Sequence, residues 1–388
     1  MLWKTIHIEP YGVTEEATTQ ILGDDLGSSG GWTTPSEEKS ASLRAVFLDS
    51  VEPPADGFGS DNSTAWAFSR WSSQHTVWSW WLITQMIIAM LGIVGNSMVI
   101  IVLFTRREHS RSTDTLIGAL AAADLLASIF MIPLPMPLTV PSTVLGQLYC
   151  KVVYTTMLRW VSFNASIFTL TAIAVERYIA VAYPFHFKYL VTRKRVVVVI
   201  VANWIVGFII TSSDFKVVKV DTSTNHCTWT FSSNPVQMLT GVILFLVVFV
   251  MPALLSLTMQ AMTAHALHRQ SRVFREEGNR EGASNPSARH LAARKRVLQM
   301  LFIVVLVFIV CWAPSQCAYF FYNLGLLSDS YLHSPLDNGL VVLSFLNSCG
   351  NPIIYTVRYP EFRAAIRELF SSKKGKARAP IFSERTER

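Results

Sequence analysis

From residue 80 to residue 357 the chain alternates long apolar runs, almost free of charge, with short polar stretches. A helix that crosses the hydrocarbon core needs about 20 mostly apolar residues. Seven segments meet that requirement: 78–104, 115–139, 148–181, 196–213, 236–266, 296–322 and 338–357. Two carry helix breakers, Pro133, Pro135 and Pro137 in the second and Gly350 and Pro352 in the seventh. Such residues are tolerated inside a bundle, because neighbouring groups satisfy the freed backbone carbonyls. The pattern predicts an all-α membrane protein, a seven-transmembrane helix bundle over residues 78–357.

Composition agrees with that pattern. The 388 residues are 51% hydrophobic and only 15% charged, against about a quarter charged in soluble domains. The charges that remain predict an orientation. Arg106, Arg107 and Arg111 follow the first segment, and Lys188, Arg193, Lys194 and Arg195 follow the third. A basic stretch from Arg269 to Arg296 follows the fifth. The alternate loops are poor in base: Lys216 and Lys219 are offset by Asp214 and Asp221, and the last holds only Asp329 and Asp337. Basic loops stay cytoplasmic, so the N-terminus is expected outside and the C-terminus inside a multi-pass plasma-membrane protein. The net charge of +7 is thereby topological, and no nucleic-acid partner is expected.

Residues 1–77 read as an extracellular tail. The first 79 positions hold eleven acidic and four basic residues, a balance of −7, with Gly, Ser, Thr and Pro throughout. That is the composition of a disordered segment. No apolar h-region follows Met1, so the first helix is expected to insert as a signal anchor. Asn62-Ser63-Thr64 is a glycosylation sequon in this tail, whereas Asn164-Ala165-Ser166 lies mid-helix and is expected to stay bare. Residues 371–388 read as a cytoplasmic tail. Of five cysteines, Cys311, Cys317 and Cys349 fall within spans. Cys150 and Cys227 lie on the oxidising side, where a disulfide persists, and a bridge between them is expected.

Polar residues inside the spans carry the chemistry. Asp124 sits mid-span in Leu-Ala-Ala-Ala-Asp-Leu-Leu, where an ionisable group costs several kcal/mol unless paired or hydrated. A protonated carboxyl held by helix–helix hydrogen bonds is one reading. A small-cation site is the other, because Asn96, Ser166, Asn347, Ser348 and Asn351 supply further hard oxygen ligands suited to sodium. Glu176-Arg177-Tyr178 closes the third span, and Cys311-Trp312-Ala313-Pro314 sets a bulky aromatic beside a proline that bends its helix.

In order, Gly95-Asn96, Leu120-Ala-Ala-Ala-Asp124-Leu, Glu176-Arg177-Tyr178, Trp204, Pro252, Cys311-Trp312-Ala-Pro314 and Asn351-Pro352-Ile-Ile-Tyr355 resemble the landmarks of rhodopsin-like G-protein-coupled receptors. One falls in each span, and the resemblance covers about residues 80–370. It implies that Glu176 holds Arg177 at rest and that Arg177 reaches a heterotrimeric G protein when the sixth helix swings out, with Tyr355 as its active-state partner. Trp312, Phe308 and Pro314 resemble the relay from ligand to that swing. Asp124, Ser166, Asn347 and Asn351 resemble an inhibitory sodium site, and no other cofactor is implied. Tyr359 to Phe370 fits the family's short amphipathic cytoplasmic helix, residues 358–370. Arrestin and membrane lipids are the further partners implied.

Three departures stand out. Gln260 occupies the position, eight residues after Pro252, where the family usually has a tyrosine. Arg294 stands where some members carry an acid that locks Arg177. Cys150 lies two residues further from Arg177 than usual, which predicts a bulge or an extra turn at the start of the third helix.

For the ligand, exclusions come first. The position where amine receptors carry an aspartate is Arg159, and the position of the opsin Schiff-base lysine is Phe345. Arg159 snorkels outward, pairs with Asp214 or Asp337, or accepts an anionic group of the ligand, as a guanidinium does bidentately. Phe163, Trp312, Gln316, Tyr319 and Asp337 are expected to line the same cavity. Residues 216–231, around Cys227, alternate apolar and polar positions about a turn-rich centre, a hairpin pattern that resembles the second extracellular loop of peptide receptors. A peptide ligand and the neuropeptide branch are the leading expectation, and a small anionic metabolite or lipid the alternative. A transporter is the remote reading, as no repeated pair of broken helices is seen. No nucleophile–base pair or metal-ligand spacing suggests an enzyme.

Overall fold

A computed structural model describes residues 71–73, 78–105, 112–134, 136–231, 233–278, 286–332, 334–358 and 360–370. The Asn62 sequon and the basic residues 106–111 lie outside them. Among the described residues, seven helices are long and apolar enough to cross a membrane. They are α1 (Trp80–Thr105), α2 (Ser112–Phe130), α3 (Val144–Ala182) and α4 (Arg193–Thr211), followed by α5 from Asn234, α6 (Pro286–Asn323) and α7 (Pro335–Arg358). An eighth helix, α8 (Pro360–Phe370), follows α7. Helix α3 packs on α2, α4 and α5, while α7 closes the ring between α6 and α1.

Burial within the bundle is graded. In the apolar window of α4 only 17% of positions are buried, against 56% in α2 and in α7. Val198, Val201, Ile205, Phe208 and Ile209 of α4 stay exposed, as suits a helix whose outer surface is solvated by lipid chains. Lipid is as apolar as these side chains, so helix association depends on close packing and interhelical hydrogen bonds. Glycines permit that approach. A Cβ at Gly207 would stand 3.1 Å from the Val161 carbonyl of α3, and one at Gly95 would stand 3.0 Å from the Pro352 ring of α7.

Three departures from ideal helix bear on the site. The second span, expected over 115–139, ends as a helix at Phe130. Pro133 forces the residue before it out of helical geometry, and the proline-rich stretch continues as an extended strand. That strand, β2 (Pro137–Thr139), pairs antiparallel with β1 (Ser72–Ser73), within the segment read as tail. The irregular start expected for α3 is present. Cys150–Tyr154 forms a π turn, and Thr156 then adopts the left-handed conformation, φ 52° and ψ 39°, before regular helix resumes at Met157. A π turn takes up surplus chain within a helix, and the Thr156 break takes up the rest. Finally, α5 widens into a π turn over Phe245–Val250 before continuing as Met251–Gly278. Pro252 would otherwise meet the carbonyl four residues before it.

The expected hairpin forms as β3 (Val218–Asp221) and β4 (His226–Trp229), with Val218 opposite Trp229 and Asp221 opposite His226. Asn225 turns the corner at φ 55°, a conformation asparagine tolerates better than most residues. A disulfide joins Cys150 to Cys227, with Cα atoms 5.5 Å apart. It ties the hairpin to the π turn of α3.

Candidate functional site

Near the hairpin end of the bundle, aromatic side chains form a continuous floor. Phe345 of α7 stacks on Phe163 of α3, centroids 5.6 Å apart and planes within 10°. Phe163 meets Trp312 of α6 edge-on at 5.4 Å, and Trp160 meets the same indole at 6.3 Å. Below it, Trp312 touches Phe308 at 6.5 Å, and Phe308 touches Phe249 of α5 at 6.1 Å. Phe163, Trp312, Phe308 and Phe345 are all buried, so a displacement at any one must be passed on or absorbed by its neighbours. Pro314 sits inside α6 two residues beyond Trp312. Gln316 is half-buried on the following turn, and Tyr319 beyond it is exposed.

Arg159 lies on this floor. Its guanidinium carbon stands 5.1 Å from the Phe345 centroid and 5.7 Å from that of Trp160, while Nη2 donates to Thr156 Oγ1 at 2.7 Å. Guanidinium planes rest favourably on aromatic faces. The group therefore turns into the bundle, over a fully buried ring, and not outward to lipid. Asp337 is half-buried at the start of α7, beside Tyr331. Burial, then the charge of Asp337, pushes the Tyr331 phenol up to about 12.

Midway along the bundle, Asp124 is fully buried. Ser166 Oγ donates to its Oδ1 at 2.7 Å, and Asn351 Nδ2 donates to its Oδ2 at 2.7 Å. Asn96 Nδ2 donates to the carbonyls of Gly92 and Ser348, both at 2.9 Å. The side-chain oxygens of Asn96 and Asn347 are buried without a hydrogen-bond partner. Helices α2, α3 and α7 thus converge on one carboxylate, and Asn96 ties α1 to α7. Pro352, next to Asn351, is buried against Gly95.

At the opposite end, α3 closes on a compact charged set. Arg177 clasps Glu176 bidentately, Nε to Oε2 at 2.6 Å and Nη2 to Oε1 at 2.8 Å. Thr113 of α2 donates to Glu176 Oε1 at 2.9 Å and also accepts from Arg177 Nη2. Only 4% of the Glu176 side chain and 12% of Arg177 are exposed. Tyr178 packs edge-on against Tyr183, centroids 6.0 Å apart. Tyr355 is buried and meets Phe362 of α8 at 6.2 Å. Gln260 is buried, with its side-chain oxygen lacking a hydrogen-bond partner. The Arg294 side chain lies outside the described residues.

Sequence reasoning did not single out Thr113, Trp160 or the packing role of Phe345. Thr113 had a usable signal: with Ile117, Leu120 and Asp124 it falls on one helical stripe, at i, i+4, i+7 and i+11. The aromatic floor had none, because its rings come from four helices.

The family model for the 7 transmembrane receptor (rhodopsin family) matches residues 95–355. The thyrotropin-releasing hormone receptor of Gallus gallus is 27% identical over 320 residues, covering 74% of this chain and 78% of that protein. The QRFP-like peptide receptor of Branchiostoma floridae is 26% identical over 292 residues, 73% of this chain and 75% of its own. The allatostatin-A receptor of Bombyx mori is 29% identical over 291 residues, 73% and 77% respectively.

Proposed function

Because the chain belongs to the rhodopsin family of seven-transmembrane receptors, we propose that it binds an extracellular peptide and activates heterotrimeric G proteins. The observation that carries the coupling role is the buried Glu176–Arg177 clasp braced by Thr113. A buried charge pair of this kind is strongly destabilised when one partner is drawn away. It holds Arg177 back until something else compensates Glu176. The peptide ligand is supported by relatives named as peptide or hormone receptors and by the β3–β4 hairpin pinned to α3.

In this reading the hairpin end faces outward and the Arg177 end faces the cytoplasm, as the basic loops favour. A ligand seated above Arg159, with Gln316, Tyr319 and Asp337 around it, presses on the Phe163–Trp312–Phe308 stack. The bend at Pro314 then lets the cytoplasmic half of α6 swing out. Arrestin and membrane lipids engage the same cytoplasmic face. A second reading, a small anionic metabolite or lipid as ligand, draws on Arg159 resting on the Phe345 ring.

The decisive experiment reconstitutes the protein in bilayer discs and screens peptides and anionic metabolites for nucleotide exchange on each G-protein class. An active peptide is expected, and Arg177→Ala is expected to abolish exchange with surface expression retained. Full signalling from that variant would remove Arg177 from the coupling role.

We also propose that Asp124, with Ser166, Asn347 and Asn351, holds a sodium ion. The donor set fits, because a carboxylate, a hydroxyl and amide oxygens are hard ligands, and the Asn347 oxygen is buried without a partner. Sodium would neutralise the buried carboxylate and favour the closed bundle. Sodium chloride is expected to raise the melting midpoint relative to choline chloride, and Asp124→Asn to erase the difference. Equal midpoints in the two salts for the wild type would exclude the site.

A further inference from the structure

Between α3 and α4, at the end of the bundle that carries Arg177, a short helix runs over Pro184–Leu190. Its seven residues are too few for a helix to hold itself in water, and none of them is buried. Phe185 is 89% exposed and Tyr189, one turn on, is 77% exposed. The helix therefore turns its large apolar side chains outward and gains little from the core. Its ends hold it instead. At the start, Pro184 takes the first helical position, where its missing N–H leaves no bond unmade. The preceding Tyr183 packs edge-on against Tyr178, the neighbour of Arg177. At the finish, Arg195 of α4 reaches back, with Nη1 donating to the carbonyls of Tyr189 at 2.8 Å and Leu190 at 3.2 Å. Ser112 of α2 donates to the next carbonyl, that of Val191, at 3.5 Å.

The last carbonyls of a helix have no partner within it, and they form its negative end. A guanidinium brings both the donors and the opposite charge in one group. Arg195 is placed to do so by its own helix. Its backbone N–H donates to Oγ1 of Thr192, the N-cap of α4, at 3.4 Å. With its main chain in one helix and its side chain on the end of another, Arg195 spans the two-residue connection Val191–Thr192. We propose that Arg195 is a positioning residue for coupling: it fixes the Pro184–Leu190 helix to α4 and so holds Phe185 and Tyr189 in place to meet the G protein. The inference rests on the coupling role proposed above. The Tyr178–Tyr183 contact makes this exposed face continuous with the Arg177 clasp, which is why a G protein and not another partner is its expected occupant.

The test uses the full chain in bilayer discs, wild type and Arg195→Ala, with no peptide added. Hydrogen–deuterium exchange is followed over residues 184–191, and nucleotide exchange is titrated against each G-protein class. Arg195→Ala is expected to speed hydrogen exchange in the last turn about threefold to tenfold, the weight of one or two net hydrogen bonds. The G-protein concentration for half-maximal rate is expected to rise by a similar factor, with the maximal rate kept. Arg195→Lys, which keeps the charge but loses the fork of donors, is expected to fall between. A merely structural role predicts the opposite split, a lower maximal rate at unchanged half-saturation, and that result would overturn the proposal. So would hydrogen exchange over 184–191 that stays at the wild-type rate in Arg195→Ala. Lys194→Ala removes an equal charge one residue away, and the same rise in half-saturation from it would refute the cap in favour of surface charge. If Arg195→Ala does not fold, Arg195→Lys and Ser112→Ala carry the same two measurements, and wild-type behaviour in both sinks the idea. If no G protein responds to the wild type, the coupling reading fails, and hydrogen exchange alone decides whether Arg195 holds the helix.

Discussion

Thr113 shows how much a single hydroxyl can govern. It donates to Glu176 and accepts from Arg177, so it fixes both members of the clasp against α2. A hydrogen bond to a charged group contributes about 1.5–3 kcal/mol, or roughly a tenfold change in an equilibrium. Thr113→Val is therefore expected to raise ligand-free nucleotide exchange by about tenfold. Exchange assays with purified G protein would check this, and an unaltered rate would leave Thr113 with a packing role only. Arg159 gains meaning from the same scale. The sequence placed a cation on the third span and left its partner open. The structure lays it on Phe345 and Trp160 and against Thr156, so its orientation is decided by rings on α7 and α3.

Among the elements, α3 departs from a simple span at its start, and α4 packs closely on its backbone. The π turn and left-handed Thr156 shift the register of α3 between the disulfide and Arg159. A count from Cys150 alone would misplace every cavity position, whereas a count back from Arg177 does not cross the irregular segment. On α4, Gly207 lets the helix lie against the α3 backbone. There the neighbour is a carbonyl in a helix, which cannot rotate aside. Gly207→Val is expected to lower stability by about 1–3 kcal/mol. A fall in melting midpoint in detergent would show it, and an unchanged midpoint would mean that α4 is free to move outward. Two hydrogen bonds that share this interface, Asn164 to Thr211 and Asn203 to Thr169, both 3.2 Å, would lengthen as α4 retreats.

For the whole molecule, the orientation proposed from the basic loops makes a direct prediction. Asn62 in the outer tail is expected to carry a glycan in mammalian cells, so N-glycosidase should increase its gel mobility and Asn62→Gln should abolish that shift. A full-length chain that is insensitive to the enzyme, with the tail cleaved only after cells are permeabilised, would reverse the topology. The same orientation places the β3–β4 hairpin towards the outside and the Glu176–Arg177 clasp towards the cytoplasm.

Seven apolar runs, their breakers, the basic loops and the ordered polar landmarks were all local properties, and the sequence by itself determined the bundle, the family resemblance and the expected irregularity of α3. It also exposed Gln260 and Arg294 as departures. It overran the end of α2, because residues 131–139 are apolar enough to cross a membrane yet too rich in proline to stay helical. Only the tertiary structure decided what the polar groups face. The convergence of Asp124, Ser166 and Asn351, the bracing of Glu176 by Thr113 and the stacking of Phe345 beneath Arg159 each join helices far apart in the chain. Hydropathy determines that a segment spans, but the rotation of each helix about its axis is set by packing against its neighbours, and that rotation is what brings these side chains together.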